Sequence, residues 1–387
     1  MTSPDVAAIA ARARETGELA IDTEFVGEGR YRPLLCLVQV AVTREDGEAW
    51  VEVIDPLVDG PDPSPLVEVL GDPSVEIVFH AGRQDVAILR RVWRAELNNI
   101  FDTQIAAGFA GLRAQLGYEA LLSELLGVRL QKSASFTRWD KRPLTDEQVS
   151  YAREDVLHLL DAASELKSRL DQRGRLQWAY EECRTLETVT DERPPEAVFA
   201  RLPRINSLEP GLRAVALALT QWREDCAMQE DKPVQTILSD AALVEIAKRR
   251  PKDLERLRQM RGLHEGTVRR RGRAILDEVA RGRELPPIPV EGERPPASDA
   301  RDAALIVLAE ALVRARAAES GFAYELLAAR SDLQRIVTGV RLGLEEPQVR
   351  TLEGWRRDLV GAELLELLSG RRSLRVGDGL EIAVDER

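Results

Sequence analysis

The chain carries two hydrophobic rhythms, and they do not overlap. Through the first half, apolar residues fall in short runs rich in Val, Ile and Leu at residues 18–22, 34–42, 50–54 and 75–79. Runs of that length and β-branched content read as strands. Between and after them the apolar positions recur three and four apart, over 84–93, 103–110, 118–126 and 146–170, the spacing of helices with one packed face. Three strands in succession, then strand–helix alternation, predict an α/β sheet of mixed strand order. From residue 205 onward helical spacing alone continues, over 212–228, 240–248, 252–258, 267–280, 301–319 and 324–329. No tandem repeat of short period stands out.

Proline marks the changes. Residues 191–204 hold Pro194, Pro195 and Pro203, and residues 284–299 hold Pro286, Pro287, Pro289, Pro295 and Pro296. Proline at this density stiffens a chain and is excluded from helix and sheet interiors, so both stretches read as linkers. The expected division is an α/β domain over 1–195, a helical domain over 205–283 and a second helical domain over 299–387.

Composition narrows the class. The 387 residues, 44% hydrophobic and 31% charged, suit two or three domains with real cores. No apolar run approaches the ~18–20 residues of a membrane span, so no membrane partner is expected. Residues 1–20 carry Asp5, Glu15 and Glu18 rather than the layout of a signal peptide. Cys36, Cys183 and Cys226 are an odd number, far apart, with no CxxC pair. That argues against a disulfide framework or a zinc site and for a reducing cytoplasm.

A net charge of −12 looks wrong for a nucleic-acid partner until it is counted by region. Residues 1–190 have 21 Lys/Arg against 32 Asp/Glu, residues 205–283 have 16 against 12, and residues 284–387 have 14 against 19. Only the middle region is basic. Within it, residues 248–273 hold eleven bases, including Arg249, Arg250, Arg269, Arg270 and Arg271, and three acids, Asp253, Glu255 and Glu265. A solvated helical face laced with ion pairs is the plain reading, but three acids cannot pair eleven bases. These arginines are therefore the candidate phosphate contacts. An acidic chain can also meet a polyanion through metal ions held by its own carboxylates.

Three segments offer such carboxylates. In Ile21-Asp22-Thr23-Glu24-Phe25, alternate strand residues share a face, so Asp22 and Glu24 project together. They repel unless a cation sits between them, although acids at a strand's solvent edge are common. In Phe79-His80-Ala81-Gly82-Arg83-Gln84-Asp85, Asp85 falls in a first helical turn, where the macrodipole favours a carboxylate in any case. In Tyr151-Ala152-Arg153-Glu154-Asp155, Tyr151 and Asp155 share a helix face. Asp155 lies nearer the apolar side than Glu154 and needs a partner or a metal there. His158 and His264 have no second histidine or cysteine at metal spacing and read as surface or boundary residues. There is no GxxxxGK[ST] or complete dinucleotide loop, which argues against ATP or NAD chemistry.

Taken in order, Asp-x-Glu on a strand, Asp after a strand–helix turn and Tyr-x-x-x-Asp on a late helix resemble the DEDD exonuclease family in its tyrosine branch. Arg32-Pro33-Leu34-Leu35-Cys36-Leu37-Val38-Gln39 is similar to that family's second strand, and Trp139 with Arg142-Pro143-Leu144 to the approach to its last motif. The resemblance covers roughly residues 15–185. It departs at His80, where many members have Asn, and at Arg138, where relatives often carry Asp. Further on, Leu217-Ala218-Leu219-Thr220-Gln221-Trp222-Arg223-Glu224, then Ala227, Pro233, Ile237-Leu238, Pro251, Leu254 and Gly262, resemble an HRDC domain. Residues 333–370, with Gly354-Trp355-Arg356 and Gly361, more weakly resemble a second such module. Trp222 and Trp355 each read first as core aromatics. The pairing resembles the ribonuclease D family.

The resemblance implies a ribonuclease H-like α/β exonuclease domain of mixed sheet followed by two all-α HRDC-like domains. It implies two divalent ions, Mg²⁺ or Mn²⁺, held by Asp22, Glu24, Asp85 and Asp155. Asp22 would bridge both, Glu24 and Asp155 would complete one, and Asp85 would act through the other, while Tyr151 orients the attacking water. The expected substrate is RNA with a free 3′ end, tRNA precursors among the candidates, cut to nucleoside 5′-monophosphates. A 3′–5′ DNA exonuclease with the same site and a catalytically idle RNA-binding adaptor are the alternatives.

Overall fold

The computed structural model describes residues 4–58, 60, 62–113, 115–130, 138–290, 300–344 and 346–386. The chain opens with helix α1 (Val6–Thr16), which the strand rhythm did not predict. Its apolar face is Val6, Ile9, Ala10 and Ala13, and alanine gives a weak periodic signal. Strands β1 (Glu18–Val26), β2 (Leu34–Thr43) and β3 (Ala49–Ile54) follow, then α2 (Ser64–Gly71), β4 (Glu76–Phe79), α3 (Arg83–Val92) and β5 (Ile100–Asp102). The sheet runs β3-β2-β1-β4-β5, antiparallel within β1–β3 and parallel from β1 to β4 to β5. This is the expected mixed order, with β5 as an added strand of three residues, too short to show a period.

One feature of register prepares the functional site. β4 pairs with β1 only at Glu18, Leu19 and Ala20. β4 then ends at Phe79 and the chain turns into α3. From Asp22 onward, β1 therefore runs past β4 and leaves one flank open at the carboxyl end of the parallel strands, where α/β sheets bind ligands. The two faces of β1 are distinct. Leu19 and Ile21 join a core with α1, α2 and α3, whereas Ala20 joins one on the other side with Val156, Leu159 and Leu166. By strand alternation Asp22 and Glu24 lie on the Ala20 side.

Helices α4 (Thr103–Phe109), α5 (Tyr118–Leu125), α6 (Asp146–Leu157), α7 (Leu159–Gln172) and α8 (Leu176–Arg184) complete this part. The single helix expected over 146–170 is broken at His158, whose φ and ψ of −111° and 10° are not helical. α6 is set by a capping box between Thr145 and Gln148, which satisfies end amides reciprocally.

The first proline stretch is not a bare linker. Pro194 and Pro195 start the short helix α9 (Pro195–Ala200), consistent with proline's fit to a first helical turn. Phe199 and Leu202 then bury themselves in the module that follows. That module comprises α10 (Pro210–Glu230), α11 (Val234–Ile237), α12 (Asp240–Arg249), α13 (Leu254–Arg258) and α14 (Glu265–Glu284) around Leu219, Ile246, Leu257 and Ile275. Gly282 on α14 is required by close approach, since a Cβ there would lie 2.6 Å from the Val215 backbone, whereas a Cβ at Gly272 would meet the end of the Leu254 side chain at 2.7 Å. In the second proline stretch, Ile288 accepts a hydrogen bond from Arg213 Nε at 3.1 Å. Pro295 and Pro296 lie outside the described residues.

The last module has α15 (Ala300–Ser320), α16 (Tyr324–Leu327), α17 (Arg330–Arg341), α18 (Gly354–Arg356), a π turn over 357–361 and α19 (Ala362–Leu368). It ends in an antiparallel hairpin, β6 (Arg372–Val376) with β7 (Ile382–Glu386), that the helical rhythm did not predict. Its Leu312, Trp355 and Leu364 lie in one cluster with Phe101, Phe109, Val156 and Leu166 of the α/β part. Trp355 is 2% exposed and packs edge-on to Phe109 at 4.8 Å and flat on Trp178 at 5.7 Å. Trp355 is thus a core aromatic, as its plainer reading had it. Among the described residues, no helix is long and apolar enough to cross a membrane.

Candidate active site

Asp22, Glu24 and Asp155 meet at the open flank of β1. Each offers a carboxylate oxygen, and these oxygens all lie within 4.8 Å of one another. The strand supplies two of them through alternation, and α6, packed across β1 to β3, supplies the third from the turn that buries Ala152 and Val156. Asp85 is not one of the three. It sits in the first turn of α3, buried, and accepts a hydrogen bond from Thr23 Oγ1. Thr23 lies between Asp22 and Glu24 on β1, so this bond brings Asp85 to the strand at the level of that pair. Its charge still acts on both Asp22 and Glu24.

The electrostatics follow from this crowding. Burial, then the charges of Asp85, Asp155 and Glu24, hold the Asp22 carboxyl well above the usual carboxylate range. Burial, then Asp155 and Asp85, push Glu24 up to about 8. Burial, followed by Glu154, lifts Asp155 to about 7, and burial lifts Asp85 to about 6. Among the described residues no lysine or arginine forms an ion pair with any of the four. Four converging carboxyls without a counter-charge are unfavourable as anions, and an all-oxygen donor set suits a hard divalent cation. The residues therefore fit a metal group.

Tyr151 lies half-buried beside this cluster, one helical turn before Asp155. Burial and the charges of Asp155, Glu24 and Asp22 raise its phenol well above the usual value, so it is a proton donor in hydrogen bonds and not a base. Trp139 packs against it with ring centroids 6.0 Å apart. Trp139 is placed by Arg142, which donates to the Trp139 carbonyl at 2.6 Å and the Cys36 carbonyl at 2.9 Å. Arg142 also makes a two-pronged pair with Asp55 at 2.5 and 2.6 Å.

Sequence reasoning passed over Tyr118 and Thr23. Tyr118 opens α5, its hydroxyl is buried, and Asp155, the His158 backbone and Asp22 act on it. The packing of α5 on α7 brings it there, so its sequence position carries no signal. His80, at the end of β4, is 5.4 Å from the Tyr118 ring. Its Nδ1 lies 2.9 Å from the Thr103 hydroxyl. That hydroxyl donates to the Phe79 carbonyl, so it must accept from His80, and Nδ1 carries the proton. His158 is half-buried at the helix break and His264 is exposed.

The candidate phosphate contacts are less uniform than the sequence suggests. Arg249, Arg250, Arg269 and Arg270 are exposed, as are Lys248, Lys252, Arg261 and Arg273. Arg249 pairs with Glu245. Arg271 turns inward and pairs with Glu230 at 2.7 Å, with its side chain 15% exposed, which takes it off the outward face. Arg273, one helical turn beyond Arg269, shares the outward face with Arg269 and Arg270.

Comparison with known proteins points the same way. Residues 1–171 match the family of 3′-5′ exonuclease domains and residues 213–279 match the HRDC domain. Ribonuclease D of Gluconacetobacter diazotrophicus is 38% identical over 98% of this chain and 95% of its own length. Ribonuclease D of Granulibacter bethesdensis is 38% identical over 98% and 94%. The crystal structure of Escherichia coli RNase D superposes with a TM-score of 0.82 at 30% identity, covering 96% of this chain and 98% of that one. A correspondence that runs from end to end in both sequence and fold, with buried carboxylates converging in the exonuclease part, leaves one assignment: the chain belongs to the ribonuclease D family and is a metal-dependent 3′–5′ exoribonuclease.

Proposed function

We propose that the chain trims RNA from a free 3′ end by two-metal phosphodiester hydrolysis at Asp22, Glu24, Asp85 and Asp155, releasing nucleoside 5′-monophosphates. The observation that carries this reading is the meeting of Asp22, Glu24 and Asp155 oxygens within 4.8 Å at the open flank of β1. Mg²⁺ or Mn²⁺ held there would shield phosphate charge, activate a water and assist the departing 3′ oxygen. Asp22, on which the charges of the other three act, would hold the ions together with Glu24 and Asp155, and Asp85, steadied by Thr23, would add the fourth carboxylate. Tyr151 orients the water by hydrogen bonding, and Arg142 and Trp139 fix its ring.

The substrate class proposed is structured RNA, tRNA precursors among the candidates, in the cytoplasm. The E. coli neighbour is described as an exoribonuclease involved in structured RNA processing. The exposed bases of the HRDC module, Arg249, Arg250, Arg269, Arg270 and Arg273, would hold the RNA backbone, and Arg271 would hold the fold through Glu230. The proposed division is 1–195, 205–283 and 299–387. RNA labelled at either end tests the reading, with and without Mg²⁺ or Mn²⁺ and in EDTA. Stepwise loss of single 5′-monophosphates from the 3′ end, abolished by EDTA, is expected. Faster trimming of a matched DNA strand would move the substrate to DNA. No hydrolysis under any cation would leave an RNA-binding adaptor.

A further inference from the structure

The loop between β1 and β2 begins three residues after Glu24, and it does not end in solvent. Its tip docks on the HRDC module. The Tyr31 ring rests against Ala227, Val234 and Ile237. The Tyr31 hydroxyl donates to Glu224 Oε2 at 2.9 Å, and its backbone N–H donates to Asp231 Oδ1 at 3.2 Å. Arg30 pairs with the same Asp231 at 2.6 Å. Glu224 is only 3% exposed, and its Oε1 makes no hydrogen bond. That oxygen lies 3.8 Å from the buried Arg223 guanidinium, so the carboxylate is held by one ion pair within its own module and by the Tyr31 hydroxyl across the seam. Asp231 is held in turn, since it caps the end of α10 in a left-handed conformation, φ 47°. The loop is pinned on its catalytic side too. Arg91 of α3 donates to the Pro33 carbonyl at 2.6 Å and pairs with Asp191 at 2.6 Å, where the chain leaves for the HRDC module.

We propose that Tyr31, Glu224 and Asp231 form a latch that fixes the basic face of the HRDC module at one distance and angle from the carboxylate cluster. Tyr31 is a positioning residue, and the latch sets the shortest RNA that can engage grip and site together. This rests on the reading that the HRDC bases hold RNA. Without the latch, the module is tethered by the 191–204 segment and its own surface contacts, and the span between grip and site is no longer single-valued. Long RNA then loses the advantage of binding at two fixed points, while an oligonucleotide too short to reach α14 is unaffected.

The test measures kcat/KM with Mg²⁺ for single-stranded RNAs of increasing length on the full chain. The wild-type series, read first, should climb by roughly tenfold or more once the RNA spans both parts. The double variant Tyr31→Phe, Asp231→Ala should keep the wild-type value on the shortest RNA and the wild-type melting transition of the HRDC module, which together show that both parts are folded, and lose most of the climb. Joining Arg30→Cys to Asp231→Cys with a short bis-maleimide, in a Tyr31→Phe, Cys226→Ser background, should restore the climb without the Tyr31 hydroxyl or the Asp231 carboxylate. A double variant that keeps the full climb overturns the latch. So does a cross-linked enzyme that loses it, because the docked arrangement is then not the working one. A wild-type series with no climb removes the HRDC grip itself, and the latch with it, whatever the variants do.

Discussion

The two helical modules after residue 205 are made of similar elements and join the catalytic part in opposite ways. The HRDC module has its own core around Leu219, Ile246 and Ile275. It meets the catalytic part through Arg30, Tyr31, Glu224 and Asp231 and a small apolar seat. The last module shares its core with the catalytic part. Trp355, Phe322, Phe109 and Trp178 interlock, Arg175 lies over Phe322 at 4.3 Å, and Arg356 pairs with Glu182 at 2.6 Å with both side chains largely buried. Even Gly108 of α4 has no room for a Cβ, which would come 2.9 Å from Leu326. Magnitudes separate the two attachments. Exposed ion pairs contribute ~0–1 kcal/mol each, whereas an aromatic cluster removed from water contributes about 25 cal/mol per Å² of apolar surface. The last module is therefore part of the catalytic body's fold, and the HRDC module is an attachment whose placement can be altered without unfolding the rest.

The largest test of that contrast is Trp355→Ala. Removing a buried tryptophan should cost about 3–5 kcal/mol and lower the melting temperature of the catalytic part, although residue 355 is 200 positions from Asp155. Excising 205–283 should leave a folded chain that still trims short RNA. If Trp355→Ala unfolds only a local segment and leaves the hydrolysis midpoint unchanged, the shared core is not a shared stability.

Cation linkage sharpens the same comparison. Glu24, Asp155 and Asp85 have folded pKa values raised to about 8, 7 and 6 from 4.5, 3.8 and 3.8. A raised carboxyl favours the folded state most below its unfolded pKa, and that benefit fades as pH rises through the folded value. Metal-free protein should thus lose stability progressively as pH rises from about 5 to about 8. Added Mg²⁺ or Mn²⁺ should recover it by replacing the proton. By calorimetry the cation should move one transition, that of the catalytic part and last module together, and leave the HRDC transition in place. A cation that shifts both equally, or neither, contradicts this.

Smaller effects belong to single groups. Tyr151→Phe should lower turnover roughly 10–100-fold with KM little changed, because the hydroxyl acts on the reacting water. The triple variant Arg269→Gln, Arg270→Gln, Arg273→Gln should weaken binding of long RNA and reduce the salt slope by about 0.7 per lost phosphate contact. Short-oligonucleotide hydrolysis should be spared. Arg271→Gln should instead lower the HRDC melting temperature slightly, since its charge is committed to Glu230.

The parts of this legible in the sequence are those governed by local spacing. Strand alternation puts Asp22 beside Glu24, and helical spacing puts Tyr151 one turn from Asp155, before any tertiary contact is known. What spacing cannot give is the partner of a face. The apolar stripe of α15 shows that it will be buried, not that Phe109 and Trp178 lie in the same core. The charge count over 248–273 shows excess base, not that Arg271 faces Glu230 on another helix. Asp85 looked like a simple helix-terminal acid, and its approach to β1 depends on how short β4 is. Thr23 and Tyr118 lie at the site through long-range packing alone. α1 was missed because alanine buries a face with little hydrophobic contrast, and β5 because three residues have no period.

The central claim is that the carboxylates at the open flank of β1 are a cation site that hydrolyses RNA. The most direct measurement is hydrolysis of 3′-labelled RNA by Asp22→Asn against increasing Mg²⁺, beside wild type, with the fold of both checked by circular dichroism. The substitution keeps the shape of Asp22 and removes its charge. The account predicts a folded variant whose rate falls by roughly three orders of magnitude or more and is not restored at saturating cation. A folded Asp22→Asn that trims RNA at the wild-type rate would contradict it.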